Sequence, residues 1–67
     1  GDPALALLSE LLTYSDSGLR LRAYIEIEKL LPTNPSARRV VESVVDDSHG
    51  VIRLRAQKAL AKLDEGL

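Results

Sequence analysis

Apolar side chains recur at steps of three and four residues in four successive stretches of the chain. The first carries Ala4, Leu7, Leu8, Leu11 and Leu12, with Ser9, Glu10 and Thr13 opposite. The second carries Leu19, Ala23, Ile27, Leu30 and Leu31. The third carries Ala37, Val40, Val41, Val44 and Val45, with Arg38, Arg39, Glu42 and Ser43 turned to water. The fourth carries Ile52, Ala56, Ala59, Leu60 and Leu63. That spacing predicts four amphipathic helices. The four valines of the third stretch favour a strand by propensity, but their spacing favours a helix.

Gly, Pro and short polar runs separate the stretches. The breaks fall at Gly1-Asp2-Pro3, Ser15-Asp16-Ser17-Gly18, Pro32-Thr33-Asn34-Pro35, Asp46-Asp47-Ser48-His49-Gly50 and Asp64-Glu65-Gly66. Pro3 and Pro35 suit first-turn positions, where a missing N–H costs nothing. Asp2 and Asn34 precede them as N-caps. Asp16 or Ser17 is placed to cap the second helix, and Asp47 or Ser48 the fourth. Gly66 suits a helix stop.

A shift of 33 residues superimposes the two halves. Leu19-Arg20-Leu21-Arg22-Ala23 falls on Ile52-Arg53-Leu54-Arg55-Ala56, Lys29-Leu30 on Lys62-Leu63, and Ala4 on Ala37. Leu7, Leu8, Leu11 and Leu12 fall on Val40, Val41, Val44 and Val45. The chain therefore reads as one domain, 1–67, made of two helix–turn–helix units, 1–33 and 34–67. One such pair cannot bury its own apolar face, so neighbouring pairs must stack.

The segment Ile52-Arg53-Leu54-Arg55-Ala56-Gln57-Lys58-Ala59-Leu60-Ala61-Lys62-Leu63 resembles the second helix of a HEAT-like repeat. An aliphatic residue and Arg open it, Ala and Ala-Leu fill its core stripe, and Asp47 lies six residues ahead of Arg53. The short period is similar to that of phycobilisome-lyase-type HEAT proteins. In the first unit Tyr14 stands where Asp47 does, and Glu26 where Ala59 does. The resemblance implies an all-α fold, four antiparallel helices stacked as a short right-handed solenoid. It also implies a non-catalytic protein-interaction or scaffolding module, a piece of or accessory to a larger protein. The tetratricopeptide and ankyrin signatures are absent despite their similar periods.

Composition narrows the chemistry. The 67 residues include 13 Leu, 7 Ala, 5 Val and 3 Ile, but no Phe, Trp, Met or Cys. Without Cys there are no disulfides, thiolate nucleophiles or Cys-based metal sites. A lone His49 offers no multi-His site. No phosphate loop and no nucleophile elbow occurs, so neither a cofactor nor catalysis is expected. With no long apolar run and no signal-peptide pattern, the expectation is a soluble, cytoplasmic chain.

Nine basic and ten acidic residues give a net charge of −1, so the basic excess of a nucleic-acid module is lacking. The alternative to a protein partner is still nucleic acid, held by a basic strip of Arg22, Lys29, Arg55, Lys58 and Lys62 on the second helices, which Glu26 and Glu28 break in the first unit. The partner-binding candidates are Leu21, Tyr24 and Ile25 with Arg22, Arg55 and Lys58, because Tyr buries area while keeping a polar tip. Self-association through open end faces is a further expectation. Arg20 and Arg53 read as structural forks that hold turn carbonyls or an Asp, with Asp47 suited to Arg53 and Asp16 to Arg20. His49 reads as a solvated turn residue, and Asp46-Asp47 as a turn, not an acid–base pair.

Overall fold

The computed structural model describes residues 2–66. All regular structure among them is helical: α1 (Pro3–Leu11), α2 (Ser17–Leu30), α3 (Pro35–Glu42) and α4 (Gly50–Glu65). Gly1 and Leu67, the outer limits of the two expected repeats, lie outside the described residues.

Three helices start as their cap residues dictate. Asp2 Oδ1 accepts from the N–H groups of Ala4 and Leu5 at 3.0 and 3.2 Å. Asp16 Oδ1 does the same for Gly18 and Leu19, and Asn34 Oδ1 accepts from Ser36. Each side chain satisfies donors that the first turn leaves unpaired. The fourth helix differs from expectation. Its N-cap is His49, which makes no side-chain cap bond. Asp47 and Ser48 sit too early, because Asp47 folds back to accept from the His49 N–H at 2.8 Å.

Both first helices of the hairpins are short. After α1, the N–H groups of Leu12, Thr13 and Tyr14 reach back only three residues, and the Thr13 hydroxyl donates to the Glu10 carbonyl at 2.7 Å. After α3, Val44 N–H bonds the Val41 carbonyl, and the Ser43 hydroxyl donates to the Val40 carbonyl at 2.6 Å. Hydroxyls that take helix carbonyls, next to β-branched valines, tighten the final turn and end the helix. Val44 and Val45 thus leave α3, contrary to the spacing argument. Val44 is nevertheless buried. Gly66 does close α4, but with φ −73°, so the left-handed freedom of glycine is not used.

The core consists of Leu5, Tyr24, Ile27, Ala37, Val41, Val44, Ile52 and Ala56. Helix α2 packs against α1, α3 and α4, and α3 also packs on α4. The shortest extent is 14 Å. Two helix axes about 8–10 Å apart, plus their backbone radii, account for that thickness and leave no room for a third layer. Leu5, Leu8 and Leu12 carry α1 onto the core. The expected stripe is corrected at two places, since Ala4 is exposed and Leu7 is 61% exposed.

Candidate functional site

Two arginines tie down the inter-helix turns, and one of them, Arg20, also bridges the two helix pairs. Arg20 is buried at the start of α2. Its Nη1 donates to the carbonyls of Tyr14 and Ser15, both at 2.9 Å. Its Nε and Nη2 donate to Asp47 Oδ2 and Oδ1 at 3.2 and 3.0 Å. One edge of the guanidinium thus holds its own inter-helix turn, and the other reaches the next hairpin. The pairing is bidentate, with side chains only 11% and 9% exposed. Arg20 holds the Asp47 carboxyl below the usual carboxylate range; burial opposes the shift, and the His49 N–H adds to it.

Arg53 stands 33 residues on and repeats half of this pattern. Its Nη1 donates to the carbonyl of Asp47 at 3.0 Å, six residues back, as Tyr14 is from Arg20. The expected match of Asp47 with Arg53 therefore uses the Asp47 carbonyl, while its carboxylate goes to Arg20. Asp16 is spent on capping and its side chain does not reach Arg20. A second tie joins like ends: Asn34 Nδ2 donates to Asp2 Oδ2 at 2.7 Å, linking the N-caps of α3 and α1.

The C-terminal halves of α2 and α4 flank a groove of about 420 Å³. Leu31, Pro32, Ala59 and Leu63 give it an apolar lining, with Glu28 and Lys62 at its rim. Comparison with protein-family models, with curated proteins and with solved structures returned no match. Among the described residues no group of three potential metal ligands occurs, and no helix is long and apolar enough to cross a membrane.

The predicted partner-binding residues are dispersed. Tyr24 is corrected outright: it is fully buried and presents no surface. Its hydroxyl is buried without a hydrogen-bond partner. Burial pushes this phenol well above its usual range, the nearby negative Glu28 adds to the shift, and Arg55 opposes it. Leu21 packs half-buried against the core, and Ile25 is half-buried. The basic strip is interrupted as well. Arg55 Nε and Nη2 donate to Glu28 at 3.2 and 3.3 Å, and Lys29 pairs with Glu26 at 3.0 Å. Arg22 and Lys58 are exposed. His49 is half-buried, not fully solvated, and its Nδ1 has no partner.

Sequence reasoning gave Glu28 to the break in the basic strip, Leu31 to an apolar stripe and Pro32 to a helix break, and missed the groove they border. The signal was available in part: at a shift of 33, Leu30 and Leu63 align near two helix ends, and Pro32 halts α2 there. What spacing could not give was the gap between the two helices, because α4 outruns α2 by two residues.

Proposed function

We propose that the chain is a pair of HEAT-like hairpins, stacked as a short right-handed solenoid, that acts as a non-catalytic protein-interaction module within or alongside a larger protein. The observation that carries this reading is the groove between α2 and α4, about 420 Å³ in volume and lined by Leu31, Pro32, Ala59 and Leu63. A helix or turn with an apolar face fits a concave surface of that kind, and Glu28 and Lys62 at the rim would set its orientation. The matched arginine forks at a spacing of 33, and the tie between the first-helix N-caps, support the stacked-hairpin part of the reading. The Glu28–Arg55 pair favours a protein partner over nucleic acid, since it neutralises the middle of the basic strip.

Photo-crosslinking residues placed at Leu63, and at Glu42 on α3 as control, test the assignment in cells. Position 63 should trap a small, reproducible set of proteins, and Ala59→Glu should abolish the trapping while helical circular dichroism is unchanged. Equal trapping from position 42, or recovery of nucleic acid alone, would overturn it.

A further inference from the structure

The outer face of α4 copies a face of α2 that is covered. At a shift of 33, Arg20, Leu21, Tyr24 and Glu28 correspond to Arg53, Leu54, Gln57 and Ala61. On α2 the first and third are buried, and the other two are half-buried. On α4 Leu54 is 56% exposed, and Gln57 and Ala61 are exposed too. The hydrogen bonding differs in the same sense. Arg20 uses one edge for its own turn and its Nε–Nη2 edge for a carboxylate of the following hairpin. Arg53 has only the first of these contacts. Among the described residues its Nε and Nη2 have no acceptor, although the side chain is half-buried.

We propose that the outer face of α4 docks a further helical hairpin whose inter-helix turn carries a carboxylate where Asp47 stands in this one. This rests on the stacked-hairpin reading and adds the chemistry of the occupant. The carboxylate seats on the Nε–Nη2 edge of Arg53, and the hairpin's apolar side covers Leu54 and Ala61. Charge complementarity selects this occupant, because the same fork at Arg20 already holds one. A second copy of the chain does not qualify. In its first hairpin the corresponding residue is Tyr14 and the nearby Asp16 is engaged by the N–H groups of Gly18 and Leu19, and in its second the Asp47 carboxylate is already held by Arg20.

The test uses the chain with residues 34–66 duplicated in tandem, so that the added hairpin brings its own copy of Asp47. Urea unfolding should stay a single transition, with a steeper denaturant dependence than the parent because more surface is buried. Arg53→Gln in the first copy, or Asp47→Asn in the added copy, should each lower the folding constant about tenfold, as loss of a charged hydrogen-bonded pair does. The two together should cost little more than either alone, and Arg53→Gln in the unduplicated chain should cost less. If the added hairpin docks but the two substitutions act independently, the carboxylate latch is wrong and the stacking reading stands. If the denaturant dependence does not rise, the hairpin has not docked and both readings fall.

Discussion

Asp47 is gripped from both hairpins: Arg20 takes its carboxylate, Arg53 its carbonyl, and the His49 N–H shares Oδ1. Its lowered carboxyl fixes the sign of an acid effect. The group adds stability at pH values above its unfolded value, near 4, and that stability is lost as pH falls through the lower folded value. Asp47→Asn should therefore destabilise the chain at pH 7 by about 3 kcal/mol, through the charge left unpaired on Arg20. Urea titrations of wild type and variant should converge as the pH drops below about 4. Tyr24 works in the opposite direction. Its raised phenol contributes stability below about pH 10, where the unfolded group titrates, and loses it as pH rises. Tyr24→Phe removes a buried hydroxyl that lies close to Glu28 without a well-formed hydrogen bond, so at pH 7 it should change stability by no more than about 1 kcal/mol. Thermal melts should separate the two proteins above about pH 10, with the variant holding its midpoint. The sequence placed Arg20 and Asp47 beside inter-helix turns as candidate fork and acceptor. Which acid met which arginine was not legible there, because Arg20 and Asp47 lie 27 residues apart and only stacking brings them together. Tyr24 was misplaced for a related reason: it flanks the α2 stripe, and a face flanking one stripe becomes core when a second hairpin lies on it.

At the scale of the elements, the helix count and order followed from spacing and from the Pro and Asp/Asn punctuation. The register of α1 did not. Its leucines occupy so much of the surface that two stripes compete, one through Leu7 and Leu11 and one through Leu5, Leu8 and Leu12. The Asp2 cap and its bond to Asn34 set where the helix begins relative to α3, and Leu5 then faces inward at 6% exposure. Leu5→Ala should cost about 2–3 kcal/mol, within the range for a buried leucine. Leu7→Ala should stay within about 0.5 kcal/mol. Denaturant midpoints of the two variants decide between the stripes, and equal losses would mean α1 is rotated from its described position. The ends of α1 and α3 were also beyond spacing arguments. Thr13 and Ser43 take carbonyls from the last turn, a local competition that an apolar pattern does not register.

For the molecule as a whole, the all-helical class was written in the sequence four times over, while the groove was written only in part. A groove is the difference between two helix lengths and one crossing, and its lining of Leu31, Pro32, Ala59 and Leu63 comes from segments that look like ordinary helix ends. One feature of the packing reaches further, namely that α2 packs extensively against each of the three other helices. Local opening must then have an order. Either α1 or the far end of α4 can fray while the rest persists, but α2 cannot be released without breaking its interfaces with α1, α3 and α4 together, leaving α3–α4 as the one extensive contact. Amide hydrogen exchange should accordingly show α2 around Ala23 and Ile27 exchanging only by global unfolding. Amides of α1, and of α4 beyond Leu60, should exchange through smaller and cheaper fluctuations. Uniform protection along the chain would contradict that order. Where it holds, a ligand gripping the end of α4 quiets the loosest part of the molecule, so binding would register as slowed exchange at the periphery well before it raised the melting temperature.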